Sequence, residues 1–253
     1  NATAIGIYLS GGSDATASNY ALVSGNRVEN ITRHAASTAS YTAGIAVADF
    51  ANNATISNNT ISGIYDAVPP SDLSFILAGI KLSGSENTSL FYNTVNLSGA
   101  NLSTGVSNTA AISITGSAYL GLTAKNNVFA NTITSKSGSQ SFAICVAGTG
   151  MSNVSLNNNN YYVDGYNAQF AYMGGEIQDL AAWQTMSLQD ANSISADPEF
   201  VDLNDYRPLT TSPLIGAGTP ISGITTDMLG NARSSTAPTI GAYENGVVVG
   251  VPI

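Results

Sequence analysis

The amino-acid sequence predicts an all-β fold, a parallel β-helix of about five coils. Three features indicate this solenoid: short apolar strands recur, an asparagine recurs downstream of each strand, and charged residues are rare. The chain has 253 residues, of which 43% are hydrophobic and only 9% charged, against about a quarter charged in ordinary globular domains. Such a composition favours stacked strands and turns over surface helices.

A strand pattern recurs five times, each time as a small residue followed by alternating apolar positions. Side chains of a strand alternate between two faces, so the equivalent isoleucines are expected to share one face. Coils stacked at roughly 4.8 Å would bury them as a continuous apolar column, which no single strand could form alone. The predicted core column consists of Ile7, Ile45, Ile80, Ile112 and Ile144.

The residue that follows each of these isoleucines is predicted to point outward. These outward residues share no chemistry, as expected of a face in or near water. The outward column consists of Tyr8, Ala46, Lys81, Ser113 and Cys145.

An asparagine recurs downstream of each strand at a spacing close to that of the coils. Identical amides stacked coil on coil can hydrogen bond to one another along the axis, so the pattern predicts an asparagine ladder. Its expected members are Asn26, Asn59, Asn93, Asn126 and, more loosely, Asn160.

The repeat pattern divides the chain into three parts. Residues 1–163 are predicted to form the coils, 164–244 a closing segment of the same domain, and 245–253 a linker or tail. Within the closing segment, Ile177, Leu180 and Ala181 lie at helical spacing, which predicts one short helix between residues 176 and 184.

The closing segment carries a series of motifs after the predicted helix. Together they resemble the closing segment of bacterial secreted right-handed parallel β-helix proteins of the Bacteroidetes type. The resemblance implies a right-handed, single-stranded parallel β-helix located outside the cell or at the cell surface, with further chain upstream and a linker or sorting domain downstream. It does not imply catalysis, because one fold serves many functions. The motifs lie at residues 180–184, 190–202, 205–209, 212–218, 227–233 and 240–244.

Charge and the chain's ends limit the partners and context that we expect. A formal net charge of −9 disfavours nucleic acid and other polyanions, so neutral partners are expected. The single Cys145 excludes an intramolecular disulfide. The sequence lacks an apolar run of about 18 residues, so no membrane span is predicted. Because Asn1 leads almost directly into a repeat strand, we expect the N-terminus to be a cut through a longer, exported chain.

Three residues of the outer surface are weak catalytic candidates. Polysaccharide lyases on this fold need a base for the α-proton and a cation for the uronate carboxylate, and the column offers Tyr8, Lys81 and, at a strand end, Asp49. Tyr8 and Lys81 lie two coils apart, roughly 10 Å, which is too far for concerted action without a third group. Catalysis is therefore not expected here.

Two further positions are weak candidates for binding. Trp183 is a potential platform for a sugar, although a residue on a short helix beside Leu180 is more typical of packing against the coil end. Asp202, Asn204 and Asp205 form an oxygen-rich turn that would suit Ca²⁺, although a plain turn held by Asx hydrogen bonds is more typical of such a sequence. We expect no cofactor otherwise.

These features predict a non-catalytic structural or adhesive β-helix module of an exported cell-surface protein. Its expected partner is a glycan or another surface protein. The alternative is a carbohydrate-active β-helix, either a polysaccharide lyase or a glycan-binding protein.

Replacing Ile80 or Ile112 with Asp should destabilise the fold by several kcal/mol, because a lone carboxylate in the stacked core would have no partner. Thermal unfolding of the purified variants measures the effect. Soluble variants as heat-stable as the parent chain would show that the predicted strand register is wrong.

Overall fold

The computed structural model describes residues 3–11, 20–34, 41–66, 77–100, 107–116, 120–134, 138–148, 151, 153–244 and 246. In these residues the chain winds into three sheets, and each strand except the last, Glu176–Ile177, pairs in parallel with the equivalent strand one coil away. The predicted all-β parallel β-helix is confirmed. The described part of the chain contains no helix long and apolar enough to cross a membrane.

The three sheets form the three sides of each coil. The first sheet contains β1 (Ala4–Ser10), β4 (Thr42–Ala48), β7 (Leu77–Ser83), β10 (Thr109–Thr115), β13 (Ser141–Val146), β16 (Ala168–Met173) and β17 (Glu176–Ile177). The second contains β2 (Leu22–Ser24), β5 (Thr55–Ser57), β8 (Ser89–Phe91), β11 (Thr123–Lys125) and β14 (Ser155–Asn157). The third contains β3 (Arg27–Arg33), β6 (Thr60–Asp66), β9 (Thr94–Ala100), β12 (Val128–Thr134) and β15 (Asn160–Val163).

The solenoid interior is shorter than the five coils expected from the sequence. Three coils, β4 to β6, β7 to β9 and β10 to β12, have a strand stacked on both sides in all three described sheets. The first repeat supplies one end of every sheet, and β14 and β15 of the last repeat supply the other end of the second and third sheets. About three turns are therefore fully enclosed.

The predicted isoleucine column is the centre of the core. Ile45 pairs with Ile80, which pairs with Ile112 and then Ile144, and all four are buried. The position before each isoleucine requires a small residue for a steric reason. A Cβ atom on Gly79, for example, would lie 2.2 Å from Cγ1 of Val95. The third sheet thus restricts the size of the side chain at this position.

The asparagine ladder exists, but two of its predicted members were wrong. Asn26, Asn59 and Asn93 are joined by Asn127 and Asn159, each Nδ2 donating to the Oδ1 of the next at 2.9 to 3.0 Å. Asn126 precedes the ladder position, with φ 60°, and Asn160 follows it as the first residue of β15. Both turn their amides to the closing segment instead, where they bond to Thr219 and Ala196. Adjacent asparagines made the spacing ambiguous by one residue.

At the end of the solenoid the helix starts later than the sequence predicted. After Gly174 and Gly175 the chain turns back as β17, antiparallel to β16, so that Ile177 is buried in a strand. Helix α1 (Leu180–Ser187) begins only after Asp179, whose side chain accepts a hydrogen bond from the backbone N–H of Ala182. This N-cap places the helix start three residues beyond Ile177.

The closing segment then runs back along the solenoid. Asn160 donates to the carbonyl of Ala196, Asn158 to Ala217, Asn126 to Thr219 and Asn58 to Thr226, so later residues meet earlier coils. In the tail predicted at 245–253, Gly246 is described, and residue 245 and residues 247–253 lie outside the described residues.

Asn93→Ala should lower the free energy of unfolding by about 2 to 3 kcal/mol. The side-chain amide of Asn59 loses its acceptor and the carbonyl of Ile56 loses its donor, and both groups lie in the interior. Chemical denaturation measures the change. The matched control is Asn192→Ala, at an exposed turn, for which about 0.5 kcal/mol or less is expected. Equal losses in the two variants would contradict a stabilising ladder.

Candidate functional site

The outer face of the first sheet carries the catalytic candidates Tyr8 and Lys81. Ala46 of β4 lies between them in register, so the two side chains are two coils apart. Tyr8 is 48% exposed, and its hydroxyl donates a hydrogen bond to Oδ2 of Asp49. The structure therefore brings Tyr8 and Asp49 together.

A sharp turn after β4 positions Asp49. Asp49 has φ 48° and Phe50 φ 62°, two successive residues in the left-handed region that side chains disfavour. The turn is held by the amide of Phe50, which donates to the carbonyl of Gly84 one coil away at 2.9 Å. Asp49 is thus fixed by backbone geometry beside the strand that carries Tyr8.

Lys81 is buried rather than exposed to water. The residue is 5% exposed, and its column neighbours Ala46, Ser113 and Cys145 are also buried. The ring of Tyr41 lies over the ammonium group, 5.0 Å from its centroid to Nζ. Among the described residues no hydrogen-bond acceptor or carboxylate pairs with this ammonium. For these four buried residues the expectation of a face in or near water was wrong, although it holds for Tyr8, because strand alternation gives the direction of a side chain and not what covers it.

Burial controls the protonation of this face. It raises the pKa of Tyr41 to about 12 and that of Cys145 to about 11, and it lowers the pKa of Lys81. The hydrogen bond to the Asp49 carboxylate raises the pKa of Tyr8. The tyrosines and the thiol are therefore protonated at neutral pH, so they can donate hydrogen bonds but do not supply a phenolate base or a thiolate.

Trp183 lies inside the protein, and no ligand can stack on it in this conformation. The ring is fully buried, and Nε1 donates to Oδ2 of Asp190 at 2.8 Å. Asp190 also accepts hydrogen bonds from Tyr161, Ser193 and Asn159. Burial raises the pKa of Asp190, and these donors oppose the rise. Trp183 therefore belongs to the network that closes the asparagine ladder.

The oxygen-rich turn is occupied by its own hydrogen bonds. Oδ1 of Asp202 accepts from the backbone N–H groups of Asn204 and Asp205 at 2.7 and 2.9 Å. Asp205 forms an ion pair with Arg207, whose hydrogen bonds lower the pKa of Asp205. The carbonyl of Asn204 accepts from Arg27. In the described chain no three His, Cys, Asp or Glu side chains are grouped as metal ligands.

Among the described residues the structure contains clefts that the sequence did not predict, and three of them are lined by the closing segment. The largest of these three has a volume of about 530 Å³ and lies between the second sheet and residues 222–226. The other two lie against the third sheet, with Arg27 and Glu29 lining one and Asp164 and Asp197 the other. The closing segment forms a wall of each cleft, and its path has no period, so no sequence signal could have located them.

No protein-family model matches this chain, and no curated protein matches its sequence. The function of the chain is therefore inferred from the geometry described above.

Lys81→Met should raise the free energy of unfolding at pH 7 by about 1 kcal/mol or more, because a thioether replaces an ammonium without a charged partner. A lowered pKa means that the folded state binds fewer protons than the unfolded state. The stability cost of Lys81 is then full at low pH and shrinks as the pH rises toward the ordinary value of 10.5.

Chemical denaturation of the parent chain and the variant between pH 6 and about 10 measures the difference directly. The effect of Tyr41 on the pH dependence is common to both proteins, whereas the Coulombic coupling between Cys145 and Lys81 is lost in the variant and is part of the measured difference. Lys125→Met, at a partly exposed lysine of β11, is the control and should change stability by about 0.5 kcal/mol or less. A Lys81 variant less stable than the parent at every pH would contradict the prediction.

Proposed function

We propose that this chain is a non-catalytic structural or adhesive module of an exported cell-surface protein. Internal contacts occupy the side chains that acid–base catalysis would need, and this observation supports the proposal most strongly. Asp49 binds Tyr8, Asp205 binds Arg207, and Lys81 lies under Tyr41. A working base needs a side chain that can reach a substrate proton, and these groups are committed or covered.

The architecture suits a spacer or display surface. Each coil is bonded to the next through three sheets and the ladder, and the closing segment runs along several coils. Such a body resists bending and presents a long outer surface. The similarity of residues 180–244 to closing segments of secreted bacterial β-helix proteins supports export and a location at the cell surface.

A carbohydrate-active β-helix is the second candidate. The outer face of the first sheet favours it, because Tyr8 and Lys81 share one column and burial lowers the pKa of Lys81 toward the range of a general base. Two coils separate the groups, and Lys81 is only 5% exposed. The structural or adhesive role therefore has more support.

The purified chain should not cleave acidic or neutral polysaccharides, with or without added Ca²⁺. The expectation follows from the contacts of Asp49 and Lys81 and from the net charge of −9, which repels uronate polymers. Ultraviolet absorbance of unsaturated products and a reducing-end assay measure cleavage. Product formation that Lys81→Met or Tyr8→Phe abolishes would instead establish the enzyme.

A further inference from the structure

The cleft beside the second sheet combines two walls of different origin. One wall is the outer face of β2, β5 and β8, and the other is the stretch 222–226 of the closing segment. Asn58 fixes the second wall, since its Nδ2 donates to the carbonyl of Thr226 at 3.0 Å while its Oδ1 accepts from Arg233 at 2.7 Å. The cleft is thus built by a buried hydrogen-bond relay rather than by a loose surface loop.

Aromatic and apolar surface is exposed in this cleft. Tyr20 is 73% exposed and Leu22 is 68% exposed, and Phe91 also lines the cleft. Tyr20 adopts φ 43°, and the residues two positions before the following strands of the second sheet share this left-handed conformation, as Asn53 does with φ 59° and Asn87 with φ 55°. The conformation is therefore a feature of the coil turn. At Tyr20 this turn carries an aromatic ring that lines the cleft.

Uncharged polar groups alternate with this apolar surface. The carboxamide of Asn53 and the hydroxyl of Thr55 line the cleft, and no described residue hydrogen bonds to either group. The Ser57 hydroxyl donates to that of Ser24 at 3.1 Å, one coil away. The cleft therefore offers free donors and acceptors beside the exposed ring of Tyr20 and the partly buried ring of Phe91.

The absence of charge restricts the ligand. None of the described residues that line this cleft is acidic or basic, whereas Arg27, Glu29, Asp164 and Asp197 line the other two clefts. An ionic ligand would lose its hydration without gaining a charged partner. The lining fits a neutral molecule with many hydroxyl groups and an apolar face.

We propose that this cleft binds a linear neutral oligosaccharide, with sugar faces stacked on Tyr20 and Phe91 and hydroxyl groups bonded to Asn53 and Thr55. The assignment names the ligand of the adhesive role and so rests on the proposed function. Ser24, Ser57 and Phe91 occupy one position on successive coils, at a spacing of roughly 4.8 Å, which is close to the length of one pyranose unit. The chain of sugars would lie along the solenoid axis.

Isothermal titration calorimetry with cellohexaose, mannohexaose and maltohexaose tests this site, and oligogalacturonate of equal length is the charged counterpart. At least one neutral hexasaccharide should bind, and oligogalacturonate should bind at least tenfold more weakly. Tyr20→Ala and Phe91→Ser should each weaken binding about tenfold, the order of one aromatic contact. Binding of none of the three neutral probes, or preference for the uronate, would overturn the assignment.

The variants are chosen to keep the fold intact. Phe91→Ser introduces the residue that the same column already has at Ser24 and Ser57. Tyr166→Ala removes another exposed tyrosine, 62% exposed, that does not line the cleft, and it should leave binding unchanged. Asn53→Gly removes the polar contact at a position whose φ of 59° glycine adopts without strain. It provides a second measurement and should weaken binding severalfold. Affinity that none of the cleft variants changes would place the sugar elsewhere and refute the site.

A reducing-end assay on the bound hexasaccharide separates this inference from the proposed function. Binding without cleavage supports both. Cleavage would refute the non-catalytic role and leave the binding site standing, whereas failure to bind would refute the site and leave the structural role standing.

Discussion

The asparagine ladder is the interaction on which the alignment of the coils depends. Each amide uses Nδ2 to reach the next amide and also a strand carbonyl, as Asn93 does with Asn127 and Ile56. A slip of one residue would break both bonds and turn the core side chains outward. At the last coil the ladder ends on charged and polar groups, because Asn159 bonds to Asp190 and its backbone N–H to Ser193. The ladder thus couples coil register to the capping network around Trp183.

The closing segment packs against the outer side of the turns that carry the ladder asparagines. The residue before each ladder asparagine has a positive φ. Four of these five residues donate a side-chain hydrogen bond to a carbonyl of the returning chain, namely Asn58, Tyr92, Asn126 and Asn158. Arg233 of the closing segment is held against the coils by two of these residues: its guanidinium lies 3.8 Å from the Tyr92 ring centroid and donates a hydrogen bond to Asn58. The same guanidinium forms an ion pair with the buried carboxylate of Glu244. A misaligned coil would displace these contacts, so the clefts that the segment encloses also depend on the ladder.

The sequence contains the periodic part of this structure and little of the rest. Ile80 and Ile112 could be assigned to the core because stacking repeats the same environment at each coil, and Asn93 to a ladder for the same reason. Asn126 was misplaced because its neighbour Asn127 offers the same side chain one position later. The burial of Lys81 and the cleft beside Tyr20 depend on contacts between distant, non-repeating segments, for which one sequence has no period to read.

The distribution of charge connects this architecture to ligand chemistry. All four arginines of the chain pair with a carboxylate: Arg27 with Glu29, Arg33 with Asp66, Arg207 with Asp205 and Arg233 with Glu244. The Arg33 and Arg233 pairs are buried, and removing one partner would leave an unpaired charge in the interior. These two guanidinium groups therefore stabilise the fold and do not face a ligand. With its arginines engaged and a net charge of −9, the chain has few cations left to recognise an anion. Recognition through rings, amides and hydroxyl groups is then the chemistry that remains, and the uncharged cleft is where the closing segment brings such groups together.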